Sequence, residues 1–328
     1  MKSHTILFLG IILLACAGCR QEQLNSFEGR ALGTIYHITY MGAHDPQMPA
    51  RVDSVLAAVN ATFSVFDTNS QLSRINRGEK LAPDADLLLI LRKALSVSEL
   101  TDGAFDCTCQ PLIELWGFGR EKATTSPNPE IVDSVRQFVN YKLVALEGDQ
   151  LIKQDARVQL NFNAIAKGYA VDKVAELLKH LGYKDFIVEI GGEVVTSGRK
   201  NGKPWKVGIQ VPTETADGPV ESSEQFELTD KAVATSGNYR NYRERDGVRY
   251  THILNPATGR PEETNLLSVT VIAPDCTTAD AFATAFMVLG RSRTTEILRQ
   301  HPELEAWLIY DENGQYKIEH IEPKKGNN

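Results

Sequence analysis

Cys276-Thr-Thr-Ala-Asp280-Ala-Phe-Ala-Thr284-Ala-Phe-Met-Val-Leu-Gly290 follows a strand-like run, Leu267 to Ala273, and has the pattern of a helix start. Asp280 and Thr284 are four residues apart, so on a helix their oxygens lie one above the other on a single face. A carboxylate and a hydroxyl are both hard oxygen donors, a pair that suits Mg2+, which binds through one or two carboxylates plus the phosphates of a substrate. The same residues also read as a capping box, Thr277-x-x-Asp280, with an acid complementing the helix dipole. Alone, capping is the simpler account; the rest of the chain shifts the balance.

Three other segments break local structure in ways that suit a phosphate-bearing ligand. Asn161-Phe-Asn-Ala-Ile-Ala-Lys-Gly-Tyr-Ala-Val-Asp172 passes into a helix whose Val171, Val174, Leu178 and Leu181 share one apolar face, closed by Gly182. Lys167 and Gly168 lie near its start, where a cation opposes the helix dipole and calls for an anion. The strand Asp185 to Ile190 runs into Gly191-Gly192, a pair that permits positive φ and close backbone approach, or a plain turn. His252 stands just before the turn Asn255-Pro-Ala-Thr-Gly259, in a loop where either a chemical or a structural histidine fits.

Taken in order, these residues resemble one family, the ApbE-type FAD:protein FMN transferases, once labelled thiamine-biosynthesis lipoproteins. The matching segments are Ala31-Leu-Gly-Thr-Ile-Tyr36, Ser70-Gln-Leu-Ser-Arg-Ile-Asn76, Thr101-Asp-Gly-Ala-Phe-Asp106 with Pro111-Leu and Leu115-Trp-Gly-Phe118, and Ala164 to Asp172. They continue through Gly191-Gly192, Pro204-Trp205, Ala234-Thr-Ser-Gly-Asn238, His252 to Gly259 and Ala279 to Ala285. Each is weak by itself; their order along nearly the whole mature chain carries the resemblance. Cys107, Cys109 and Gln110 depart from it, since the family usually has Pro, Val and Gly there.

The resemblance implies an α+β fold, a T-fold-like antiparallel sheet with packed helices and a second lobe, over residues 27–321. It implies FAD as substrate, Mg2+ as cofactor, and transfer of FMN to a Ser or Thr hydroxyl of a target protein, with AMP leaving. Asp280, Thr284 and the backbone carbonyl of Ala164 would hold the metal, and Lys167 would meet the pyrophosphate or a nearby carboxylate. Leu32, where the family usually has Met beside the flavin ring, Ser70, Gln71, Leu72 and Asp102 match segments that contact FAD, and Gly191 and Gly192 would admit it. Asp102 equally suits a helix-end turn, and Asp106 a partner for buried backbone. His252 is the candidate for proton transfer or phosphate orientation. A water attacking the same phosphorus would make the protein an FAD pyrophosphatase, and a flavin-binding lipoprotein without catalysis would dispense with the metal.

Composition agrees. A chain of 328 residues with 42% hydrophobic content is long enough to bury a full core. The net charge of −7, with no basic run outside Lys324-Lys325, argues against a nucleic-acid surface. An acidic protein that binds a pyrophosphate also needs a cation. Neither a Gly-x-Gly-x-x-Gly nor a Gly-x-x-x-x-Gly-Lys-Ser/Thr fingerprint is present, so Rossmann and P-loop nucleotide sites are unsupported.

At the N-terminus Lys2 precedes an apolar run, Ile6 to Ala15, too short to span a bilayer and suited to a signal-peptide core. It ends in Leu13-Leu-Ala-Cys-Ala-Gly-Cys19, which resembles a bacterial lipoprotein processing box with Cys16 and Cys19 as competing lipidation sites. The expectation is a protein exported to the bacterial cell envelope, periplasmic in a Gram-negative cell, and anchored to a membrane by lipid. A signal within residues 1–19 and a tether over 20–26 would precede a first strand near Phe27, and residues 322–328 form a polar tail expected to be disordered. Its target would be an exported or membrane protein. Cys107, Cys109 and Cys276 give no disulfide framework.

Hydrophobic periodicity predicts helices over Gln47 to Phe63, Asp84 to Leu100 and Ser126 to Phe138, with a loop holding Asp67 to Asn76. Short strands are predicted at Tyr141 to Glu147, Leu151 to Gln154 and Val158 to Phe162, and a strand pair at Lys206 to Val211 and Gln225 to Leu228 flanks a polar loop, Thr213 to Ser223.

Overall fold

The chain's first strand, β1 (Leu24–Ala31), turns back into β2 (Thr34–Met41) through Leu32 and Gly33, both at positive φ, as a two-residue hairpin turn requires. In β2 the side chains alternate: Tyr36, Ile38 and Tyr40 are buried while Ile35 and His37 are exposed, the signature of a strand covered on one face. The computed structural model describes residues 23–121, 125–210, 222–238, 242–245 and 248–322. The signal and lipidation segment, most of the polar loop at 213–223 and nearly all of the C-terminal tail lie outside these residues.

Helices α1 (Met48–Phe63), α2 (Gln71–Asn76), α3 (Ala85–Leu100), α4 (Gln110–Leu115) and α5 (Pro129–Arg136) follow. A small hairpin, β3 (Val144–Glu147) with β4 (Gln150–Lys153), leads to α6 (Ala166–His180). Then come β5 (Phe186–Ile190), β6 (Glu193–Ser197), the pair β7 (Trp205–Gln210) and β8 (Ser222–Leu228), and β9 (Ala232–Gly237). Two short ribbons, β10 (Tyr242–Arg245) with β11 (Val248–Thr251) and β12 (Leu254–Asn255) with β13 (Arg260–Pro261), precede β14 (Leu266–Ala273). Helix α7 (Cys276–Gln300), broken at Gly290, and the strands β15 (Glu305–Glu312) and β16 (Gln315–Ile321) complete the fold. No helix among the described residues is long and apolar enough to cross a membrane.

Eight of these strands form one sheet in the order β1-β2-β5-β6-β9-β14-β15-β16, every neighbouring pair antiparallel. One face packs on α1, α3, α6 and α7, with Phe63 edge-on to both Phe162 and Tyr169 at ring separations of 5.9 and 5.4 Å. The β7–β8 hairpin covers part of the other face through Val207, Phe226 and Leu228 against Val194, Val233 and Ile272. All of β6 is therefore buried, as expected of a strand covered on both sides. A smaller apolar cluster, Leu112, Trp116, Val132, Val139 and Leu254, gathers α4, α5 and β12 beside the main core.

Four expectations need correction. The first strand begins at Leu24 rather than near Phe27, because β2 is long enough to pair Leu24 with Met41. The segment Asp67 to Asn76 is not all loop: Ser70 caps α2 by accepting the Ser73 amide at 3.0 Å. Tyr141 to Leu143 form a 3-10 turn ahead of β3. Val158 to Phe162 run extended without joining a sheet, because their backbone groups are taken elsewhere. Asn76 brackets Leu160 with two side-chain bonds of 2.8 Å, the Asn161 amide bonds to the Cys107 carbonyl at 2.7 Å, and a lone bridge joins Gln159 to Cys109.

Candidate active site

Helices α6 and α7 cross at their N-termini with almost no space between them. A Cβ on Gly168 would fall 2.2 Å from the Cys276 carbonyl oxygen and 2.8 Å from the Asp280 Cβ, so only glycine permits this approach. The joint is tied from both sides. Asp172, on α6, accepts the Cys276 amide at 2.9 Å and the Thr277 amide at 2.8 Å, along with the Thr277 hydroxyl. In return, Asp280 Oδ2 on α7 accepts the Gly168 amide at 2.9 Å. Orphan amide groups at each helix start are thus satisfied by a carboxylate from the other helix.

The capping-box reading of Thr277 and Asp280 is overturned. The N-cap of α7 is Asp275, whose carboxylate accepts the Thr278 amide at 2.7 Å, and Asp280 lies beyond the first turn. Freed from capping, Asp280 is available for another role.

Beside this joint, β6 and β9 pair only through Val194 with Val233 and Val195 with Ala232. Beyond those pairs Glu193 on one strand and Thr235, Ser236 and Gly237 on the other border a cavity of about 1070 Å³. Lys167, Ala164, Asp280 and Thr284 reach it from the helix starts, Gly191 and Gly192 from the β5–β6 turn, Lys206 and Phe226 from the β7–β8 hairpin, and His252 from the loop before β12. Gly191 and Gly192 have φ of 67° and 107°, and the Gly192 amide is held by Glu189 at 2.7 Å. Thr284 and Ser236 share a hydroxyl hydrogen bond of 2.9 Å across the α7–β9 contact. The His252 ring lies edge-on to Phe118, 6.5 Å away.

The cavity's polar end is a charged cluster. Lys167 forms an ion pair with Glu193 Oε1; its side chain is 37% exposed whereas that of Glu193 is only 2% exposed. Burial pushes Glu193 up to about 7, with Asp280 adding to the effect and Lys167 opposing it. Burial likewise raises Asp280, against the pull of Lys167 and the Gly168 amide. For Lys167, burial favours the neutral amine, and the Glu193 and Asp280 carboxylates outweigh it, so the ammonium sits above its ordinary range. Two buried carboxyl groups share one ammonium, so a further cation would favour their ionised forms.

Of the residues singled out in the sequence, His252, Lys167, Gly191, Gly192, Ala164, Asp280 and Thr284 meet on this cavity. Leu32, Ser70, Gln71, Leu72 and Asp102 are not among its lining residues, and local structure accounts for each. Leu32 occupies the hairpin turn at φ 52°. Ser70 caps α2 and donates to the Ser64 carbonyl at 2.5 Å, Gln71 Oε1 accepts the Asp84 amide at 3.0 Å, and Leu72 is fully buried in the core. Asp102 is exposed in the turn after α3, at φ 51°, and pairs with Arg293.

Asp106 also borders the cavity, and its carboxylate accepts the Tyr141 and Thr108 amides, each at 2.8 Å. Cys107, Cys109 and Cys276 are buried free thiols, and burial raises all of them, which makes them poor nucleophiles. Gln110 is buried and links Asn161 to Glu114. Glu193 and Asp172 were not singled out for the site. Their signals, an acid directly after Gly-Gly at the head of an apolar strand and an acid on the apolar side of a helix, become informative only once their partners are in place.

Comparison with known proteins places these features in context. A family profile described as the ApbE family matches residues 32–308. A FAD:protein FMN transferase of Vibrio cholerae is 38% identical, with 89% of each chain covered. One of Haemophilus influenzae is 34% identical over 92% of this chain and 91% of its own. Among solved structures, the apo flavinyl transferase ApbE of Pseudomonas stutzeri superposes with a TM-score of 0.83 at 33% identity, covering 92% of this chain and 95% of that one. The flavin transferase ApbE of Vibrio cholerae gives a TM-score of 0.82 at 33% identity, covering 91% and 97%.

Proposed function

The chain belongs to the ApbE family, and from that premise we propose that it is an FAD:protein FMN transferase, moving FMN from FAD to a Ser or Thr hydroxyl of a target protein. The observation that carries the reading is the single cavity onto which Lys167, Asp280, Thr284, Gly191, Gly192 and His252 converge. Its volume of about 1070 Å³ lies just above the roughly 300–1,000 Å³ usual for small-molecule sites, and suits a dinucleotide.

In the reaction the hydroxyl oxygen forms a bond to the FMN phosphorus, the bridging P–O bond of the pyrophosphate breaks, and AMP leaves with the electron pair. Lys167 supplies positive charge to the phosphate oxygens. His252 takes the proton of the incoming hydroxyl or orients the phosphate it attacks. The paired glycines let backbone approach the ligand.

Asp280, Thr284 and the Ala164 carbonyl are an all-oxygen set suited to Mg2+, and the buried excess of carboxylate over ammonium supports a cation there. When bound, that ion would neutralise charge on the pyrophosphate. The export signal and the pair Cys16 and Cys19 support an envelope lipoprotein whose target is itself exported or membrane-bound.

The reading is tested by incubating the protein with FAD and Mg2+, with and without a candidate target, and following AMP release and the intact mass of the target. FMN on the target and AMP release accelerated by it are expected. AMP at equal rates in both, with FMN only free in solution, would replace transfer by hydrolysis.

A further inference from the structure

Glu193 is a deeply buried acid on the cavity wall, and only half of its carboxylate is used. Oε1 holds the Lys167 ammonium, while Oε2 has no hydrogen-bond partner. An unpaired buried acceptor is costly, so a pair kept only for stability would be expected to satisfy both oxygens. Lys167 also stands where α6 does not welcome it, in the first turn, against the positive end of the helix. Its long side chain carries rotamer entropy that some partner must offset before the ammonium can be held at one place.

We propose that Glu193 is a positioning residue that fixes Lys167 for the pyrophosphate of the bound nucleotide. An ammonium has three donors. The bond to Glu193 leaves the others for anionic oxygens, on the side where the lysine remains exposed to the cavity. Ordering the side chain before the ligand arrives removes that cost from binding. Neither Gly191-Gly192 nor the helix joint depends on the carboxylate, because Glu189 and Asp280 hold them. The inference rests on FAD being the substrate.

The test is a double-mutant cycle with near-isosteric variants, Glu193→Gln, Lys167→Met and the two combined, reading equilibrium affinity for FAD, ADP and riboflavin with Mg2+ present. Glu193→Gln is expected to weaken FAD and ADP about tenfold, the lower end of what removing an orienting partner costs. Riboflavin, which carries no phosphate, should bind as to wild type. The double variant should bind FAD no more weakly than Lys167→Met, since Glu193 acts through the lysine. Additive losses, an equal loss for riboflavin, or unchanged FAD affinity in Glu193→Gln would overturn the inference. Failure of the wild-type protein to bind FAD would instead reject the substrate assignment, so the two failures are distinct.

Discussion

Asp280 accepts the Gly168 amide through Oδ2, so substituting it can remove a buried acceptor as well as a candidate cation ligand. Two variants separate these effects. Asp280→Asn keeps an acceptor and should lower AMP release about a hundredfold or more, as loss of a key charged group in such a site does, with little change in melting temperature. Asp280→Ala should lose the same activity and also about 1–3 kcal/mol of stability, for the orphaned amide. A Mg2+ titration of turnover, alongside thermal melts, checks both; near-normal turnover in a folded Asp280→Asn would end the metal assignment. Asp280 and Thr284 could be read together from the chain because a helix turns i and i+4 onto one face. The partnership of Lys167 with Glu193 had no such local signature, since it is made by packing a helix start against a strand. The segment of Ser70, Gln71 and Leu72 matched a motif, whereas in the fold Ser70 caps α2, Gln71 accepts the Asp84 amide and Leu72 packs in the core.

At the scale of elements, the α6–α7 joint links stability to the site. Gly168→Ala places a methyl group against backbone at the Cys276 carbonyl, which no rotamer change relieves, so a loss on the order of 3 kcal/mol is expected in chemical denaturation. A wild-type midpoint would mean that the helices part easily. Asp172 adds a pH dependence. Burial pushes its carboxyl up to about 6, from an ordinary value of 3.8, despite the donors from Thr277 and Cys276. The folded protein therefore holds this proton more tightly than the unfolded chain does. The resulting stabilisation is complete below about pH 4, falls through the interval between the two values, and is gone above about 6. Measured against Asp172→Asn, which does not titrate there, the wild-type stability should decline over that interval by a few kcal/mol and then level off. A difference that stays flat from pH 4 to 7 would contradict the shift. Helices α1 and α3 were legible within a residue from apolar periodicity. Val158 to Phe162 looked like a strand because apolar alternation reports burial, not which partners receive the backbone hydrogen bonds.

For the whole molecule, the start of β1 at Leu24 would limit, under the proposed lipid anchor, how far the enzyme can stand from a membrane. Cys19 precedes Leu24 by five positions and Cys16 by eight, which at full extension span roughly 18 and 28 Å. Either anchor would keep β1, an edge strand of the main sheet, close to the bilayer surface, and would restrict targets to proteins presenting their hydroxyl near that surface. Anchoring of this kind needs more than one acyl chain, since a single chain binds only reversibly. The expected outcome is that cells fed a labelled fatty acid tag the wild-type protein and retain it in the membrane fraction. Replacing Cys16 and Cys19 by Ser singly should show which carries the lipid, and the double variant should lose the tag. Purified double variant should nevertheless transfer FMN to a soluble target at the wild-type rate, because every residue placed on the cavity lies at Ala104 or beyond and depends on the fold, not on the anchor. An untagged wild type, or a tag that survives loss of both cysteines, would remove the lipoprotein assignment; loss of transfer to a soluble target in the double variant would show that the N-terminal segment contributes to the site itself.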